Sequence, residues 1–292
     1  MMLAKGELPV EQYDVGMIKA LQAKELEMAK YFVEFCRQHG LLCYFCGGGC
    51  IGTIRHKGFI PWDDDLDFFM PREDYERLRT EWSDTEQYAL RYPTKTDNDH
   101  NIFITLRDKT TTMIKTYQTE FDIPHGVTID IFPLDGCPDG KRKRKMQLFW
   151  GLVYQLYCAQ MVPTNHGKKI EKVGKILLGV VRSPAGRYRI WRHAEKKMSR
   201  YPIAECRYIT EICAGPRYMR LQYPKEYFES ALLKDFEDTK MPVPVGYDGY
   251  LKMAFGNYME LPPEEQRVPS HDAFIDLDKP YTAYKGIKYC VK

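Results

Sequence analysis

Several features are missing from this chain of 292 residues, and each absence narrows its class. No internal repeat or low-complexity tract is present, which sets aside solenoids, propellers and linker-like segments. Met1 to Gly16 carries Glu and Asp and lacks the apolar core of a secretory signal, so a cytoplasmic location is expected. The charge-free run Met146 to Val162 reaches only the lower limit for a membrane span, and Gln147, Gln155 and Gln160 argue against one. The nine cysteines are odd in number and scattered, which fits reduced thiols. Cys43, Cys46 and Cys50 have a zinc-like spacing, but two of them lie in an apolar run and no second pair follows. No recognisable nucleic-acid motif occurs, and no nucleic-acid partner is expected.

What is present is an ordinary globular composition, 44% hydrophobic and 28% charged, long enough for one large or two modest domains. The net charge of +3 hides an uneven distribution. Lys141 to Arg200 holds sixteen Lys and Arg against Glu171 and Glu195, so a basic module sits in an acidic body. Two apolar stretches, Met146 to Val162 and Ile176 to Val181, lie among these cations. Two readings stand: a face for an anionic membrane or glycan, or a helical subdomain with a solvated basic surface.

The densest chemical signal is Trp62-Asp63-Asp64-Asp65-Leu66-Asp67. In an extended segment Asp63, Asp65 and Asp67 share a face, because side chains alternate at period two. Such a run is either solvated or gathered around a cation, and hard oxygen ligands favour Mg²⁺, Mn²⁺ or Ca²⁺. Just upstream, the apolar run Leu41 to Cys46 reads as a strand that meets Gly47-Gly48-Gly49. These glycines form either a plain turn or an anion cradle opening a helix, with Arg55, His56 and Lys57 as cationic donors. A glycine cradle followed by paired carboxylates is the layout of a metal–nucleotide site.

Val15 to His39 has helical apolar spacing, and Pro71 with Glu73 and Asp74 opens a second helix. Tyr88 to Tyr92, Ile102 to Arg107 and Val127 to Phe132 read as strands, with Lys109 to Ile114 as a hairpin return. Pro133 to Gly136 is expected to turn the chain, and Tyr247 to Met253 to form a short helix. Asp130 lies between two isoleucines, where it is either paired by an arginine or backbone amides, or a third acid of the metal site. Arg267 and His271 lie in a later loop, as phosphate contacts or as surface residues.

The stretch Arg55-His56-Lys57-Gly58-Phe59-Ile60-Pro61-Trp62-Asp63-Asp64-Asp65-Leu66-Asp67, with Gly47 to Thr53 before it and Met70 to Tyr75 after it, strongly resembles the LicD family. Further matches run through Ile129 to Gly136 and Tyr247 to Pro263. The family includes phosphocholine transferases and is related to the fukutin-type ribitol-phosphate transferases. The resemblance implies an α/β (α+β) nucleotidyltransferase-like fold, a small mixed sheet flanked by helices, plus a basic helical insertion. The expected divisions are a catalytic core over 1–140, the basic module over 141–205, and a segment completing the site over 206–292. By resemblance, Asp65, Asp67 and Asp130 hold Mg²⁺ (or Mn²⁺) and carry catalysis, with Asp108 competing for the third place. Gly48, Gly49, Thr53, Arg55, Lys57 and His271 are expected to bind the donor, and Asp63 to support the metal ligands. The implied partners are a CDP-alcohol donor and a glycan or lipid-linked glycan acceptor. Peripheral contact with the inner face of an anionic membrane is a further expectation.

Overall fold

A computed structural model describes residues 15–161 and 168–291, without the side chains of 168–171. The reading of the first residues before Val15, Val162, and the side chains of Lys168, Lys169 and Glu171 lie outside the described residues.

Helix α1 (Val15–His39) buries Leu21, Gln22, Glu25, Met28, Ala29, Phe32 and Cys36, a stripe at helical spacing. The chain then forms β1 (Tyr44–Phe45), α2 (Gly47–Arg55), β2 (Asp67–Pro71) and α3 (Arg72–Glu81). Strands β3 (Tyr88–Arg91), β4 (Ile104–Asp108), β5 (Thr112–Lys115) and β6 (Thr128–Cys137) follow. The main sheet runs β1-β2-β6-β4-β3, with β2 and β6 parallel and the other neighbours antiparallel. This is the α/β architecture with a mixed sheet expected above. Its core includes Phe32, Phe45, Phe68, Leu106, Ile129 and Ile131.

Two local expectations are corrected. Pro133 to Gly136 does not turn the chain, since β6 continues through Cys137. One edge of β6 pairs with β4 up to Ile131 and with β7 (Tyr208–Thr210) from Asp135 onward. Pro133 falls in the gap between them, where a missing N–H breaks no bond to either strand. Residues 109–114 are not a hairpin partner of β4. Instead β5 pairs with the distant β11 (Ala273–Asp276), and Lys115 faces Ala273 across that ladder.

Between β6 and β7 the chain inserts α4 (Lys141–Ala159), α5 (Lys168–Val180) and α6 (Pro184–Met198). Ser183 caps α6 by accepting from the Gly186 amide, with Pro184 in the first turn. These helices share an apolar cluster that includes Tyr154, Tyr157, Leu178, Trp191 and Met198. After β8 (Tyr223–Pro224), the hairpin of β9 (Ala231–Phe236) and β10 (Thr239–Pro244) leads to α7 (Tyr247–Phe255). Gly256 ends α7 with φ +70°, a conformation that favours glycine.

Candidate active site

The strand pairing decides which acids meet. In the parallel β2–β6 ladder, Asp67 is the register partner of Asp130, and Thr105 of β4 lies on the other side of Asp130. Asp108 is placed elsewhere: its carboxylate accepts from Gln87, the Thr110 amide and the Thr110 hydroxyl, so it shapes the turn after β4. Among the described residues, Oδ1 of Asp130 is buried with no hydrogen-bond partner.

Residues 63–66 carry no regular structure, yet neighbouring side chains face different partners. Asp63 lies against the start of α2, where a Cβ at Gly48 would collide with its carboxylate. A Cβ at Gly47 would lie 3.8 Å from Asp67 Oδ2. Gly48 thus makes room for the Asp63 carboxylate, whereas the Gly47 distance is an ordinary contact. The Gly47 amide donates to the Tyr250 hydroxyl at 3.1 Å. The Gly48 and Gly49 amides, in the first turn of α2, have no intrahelical acceptor.

Asp64 is fully buried and accepts from the Ser270 amide, the Ser270 hydroxyl and the His271 amide, each at 2.9 Å. Burial pushes its carboxyl up, but hydrogen bonds from His271 and Ser270 outweigh this and lower it. Asp64 therefore acts as a clamp that ties the 270–271 loop to the acidic segment. His271 Nδ1 is 3.3 Å from Asp64, and its Nε2 is 4.0 Å from Asp65 Oδ2. Burial pulls His271 down, while the Asp64 hydrogen bond and the Asp65 charge raise it overall.

The remaining acids are poorly compensated. Burial, then the charges of Asp65 and Asp64, push Asp63 up to about 8. Burial, then Asp65, Asp130 and Asp63, hold the Asp67 carboxyl well above the usual range. Burial also raises Asp65. Sequence reasoning missed two further members. Glu25 of α1 is fully buried, and neither of its carboxylate oxygens has a partner among the described residues. Burial, then the charges of Asp65, Asp63, Asp64 and Asp67, raise it strongly. Gln22, one turn earlier, donates to the Ile60 and Asp63 carbonyls and so holds α1 under the acidic loop. The signal for Glu25 was available: it lies four residues after Leu21 and four before Ala29, on the apolar stripe.

The second missed residue is Lys115. Burial lowers its amine, but Asp130, Tyr117 and Asp65 raise it overall. Pairing of β5 with β11 sets Lys115 beside the chain that carries His271, and Thr116 donates to the Asp272 carbonyl. No local pattern encodes that long-range pairing.

Three residues expected to bind the donor have the following partners in the structure. Thr53 is buried, and its hydroxyl donates to the Gly49 carbonyl within α2. Lys57 is exposed, has φ +61°, and its carbonyl accepts from Glu237 at the hairpin tip. Arg55 donates to the Tyr258 and Glu260 carbonyls, though its charge also reaches Asp63. Arg267 stacks over Trp62 at 5.6 Å. The zinc-like cysteines are buried, and burial holds the Cys46 and Cys50 thiols up, against the thiolate that zinc requires.

Carboxylate oxygens dominate this cluster, and those of Glu25 and Asp130 that are buried without partners fit a hard divalent cation. The tightest group of ligand-type atoms among the described residues is Asp64, Asp65 and His271, within 4.8 Å of one another. Asp64 is already engaged by its clamp; the other acids of the cluster are Glu25, Asp63, Asp65, Asp67 and Asp130.

The family model described as LicD/FKTN/FKRP, nucleotidyltransferase domain, matches residues 40–150. That span contains α2, β2, β6 and the acids Asp63, Asp64, Asp65, Asp67 and Asp130. The Lipopolysaccharide cholinephosphotransferase LicD of Haemophilus influenzae is 30% identical over 268 residues. The match covers 86% of this chain and 95% of that protein, so it extends past the family domain over the basic helices. With likeness over that length, the chain belongs to the LicD family of phosphotransferases.

Proposed function

We propose that the protein transfers an alcohol phosphate, phosphocholine or a similar group, from a CDP-activated donor to a hydroxyl of a cell-surface glycan or its lipid-linked precursor. The observation that carries this reading is the Asp67–Asp130 register pair at the glycine-rich start of α2, with the charge of Asp65 beside it. The cholinephosphotransferase relative supports the choice of group and acceptor class.

In this reading Asp65, Asp67 and Asp130 hold Mg²⁺ (or Mn²⁺). The cation, when bound, neutralises charge on the donor diphosphate. The acceptor oxygen forms a bond to the phosphorus bearing the alcohol, the bond from that phosphorus to the bridging oxygen breaks, and CMP leaves with the electron pair. Asp130 would either complete the metal shell, the hydroxyl proton then leaving with the CMP phosphate, or take that proton itself. The Gly48 and Gly49 amides and Lys115 face the non-bridging oxygens, and Asp64 orients His271 toward the same space. Phosphoryl transfer of this type gains mainly from positioning and charge neutralisation.

The test mixes the protein with CDP-choline, lipopolysaccharide and Mg²⁺ and identifies the products. Choline incorporation with CMP release is expected, together with a rise in melting temperature on adding CDP-choline with Mg²⁺. Pyrophosphate release from CTP instead would mark a conventional nucleotidyltransferase. Binding of glycan without any turnover would mark a non-catalytic protein.

A further inference from the structure

Helices α4 and α5 leave large apolar side chains in water. On α4, Met146, Phe149 and Leu152 are exposed, at spacings of three residues along one side. On α5, only Gly174 and Leu178 among residues 172–180 turn inward, and Leu178 meets the cluster of Tyr154, Tyr157 and Trp191. Val173, Ile176, Leu177 and Val180 face out, Val180 being 76% exposed. The helices touch where the Tyr157 hydroxyl donates to the Leu177 carbonyl at 3.1 Å. Isolated exposed leucines are ordinary, but seven large apolar groups on two adjoining helices are a surface that favours cover.

The charge around them selects the cover. Lys141, Arg142, Lys143 and Lys145 are exposed at the start of α4, and no acid of the described residues lies within ion-pair distance of them. Lys172, Lys175 and Arg182 are exposed on and just after α5. Across residues 141–200, sixteen cations face two acids. A second copy would bring like charges together. A nucleic acid or soluble polyanion would satisfy the cations and leave the aliphatic groups wet. An anionic bilayer answers both, because its headgroups attract Lys and Arg while the interface takes the apolar side chains. None of the described helices is long and apolar enough to cross the membrane, so the contact is one of lying on it.

We propose that α4 and α5 form a docking surface for an anionic lipid bilayer. The inference does not depend on the transferase reading, because its test needs neither donor nor acceptor. Full-length protein is sedimented with phosphatidylcholine vesicles, with and without phosphatidylglycerol. Binding is expected only with the anionic lipid, weakening as salt rises. Ile176→Glu with Val180→Glu, and separately Phe149→Glu with Leu152→Glu, are expected to weaken it by about tenfold or more. These side chains are exposed, so the variants should keep the parent's circular dichroism and melting temperature. Absence of vesicle binding, or binding unchanged in both variants, overturns the proposal. So does a dimer in analytical ultracentrifugation that the variants dissociate, or dextran sulfate binding that falls with them while vesicle binding stays.

Discussion

Two aspartates on the same strand, β6, have opposite environments. Asp135 receives Arg72 in a two-pronged pair, with both contacts at 2.8 Å. Arg72 also reaches Glu76 at 3.3 Å and Glu195 at 4.0 Å, and Arg79 bonds Glu76 at 3.0 Å and lies 3.4 Å from Glu195. Arg192 closes on Glu195 from within α6. Asp130 has an acid, Asp67, as its register partner and a buried oxygen with no donor. The same fold therefore pairs buried carboxylates where it needs rigidity, joining α3, β6 and α6. Among the described residues it leaves Asp130 Oδ1 and both Glu25 carboxylate oxygens without partners, in the region where Asp65 and Asp67 add like charge. Local rules broken together in one place point to a site that a ligand completes.

The contrast is broken most directly by Asp67→Asn. Turnover should fall on the order of 10³-fold, the scale of removing a main electrostatic contact from a transition state. The metal-free melting temperature should hold or rise, because a like charge leaves the cluster. Unfolding of the variant, or retained transfer, would place Asp67 among structural residues.

The paired region should behave in the reverse way. Arg72→Ala strands the inaccessible Asp135 and removes the bridge from α3 to β6, while Glu195 keeps Arg79 and Arg192. A stability loss of about 3–5 kcal/mol in urea unfolding is expected. Addition of Mg²⁺ should leave that loss in place. If Mg²⁺ restored it, the two regions would share one function.

Much of this contrast was legible in the sequence, and the limits are physical. Helices α1, α3 and α7 followed from apolar spacing and from Pro71 and Gly256 at their ends. The acidic run and Asp130 stood out because charges in strand-like runs demand partners, and the family resemblance picked Asp65, Asp67 and Asp130 from them. The role of Asp64 was not visible, since its clamp depends on Ser270 and His271, more than 200 residues away. Lys115 was hidden for the same reason: the β5–β11 ladder is long-range. Thr53, Arg55 and Lys57 lie in the right stretch, yet α2 takes up the Thr53 hydroxyl, the segment after α7 takes up the Arg55 guanidinium, and the β9–β10 hairpin bonds the Lys57 carbonyl. Sequence proximity places residues on an element but leaves open which face each one shows.

The smallest effect tests whether an orphaned buried atom alone signals function. His125 has such an atom: Nδ1 is buried without a partner, while Nε2 is 3.0 Å from the Phe121 carbonyl. A carbonyl only accepts, so Nε2 carries the proton and Nδ1 is a bare lone pair. The ring packs on Tyr289 at 4.4 Å, and burial pulls its pKa from 6.5 to about 4. Because the folded value lies below the unfolded one, this stability is complete above pH 6.5 and is lost as the pH falls through about 4. The loss is about 3 kcal/mol by linkage. Denaturant titrations of the parent and of His125→Gln between those pH values should diverge by that amount, with transferase activity at neutral pH unchanged. A neutral imidazole tolerates an idle lone pair where a carboxylate does not, so His125 should report on acid stability alone. If His125→Gln also removed transfer, orphaned atoms would mark function regardless of charge, and the distinction between Asp130 and Asp135 would rest on geometry rather than on pairing.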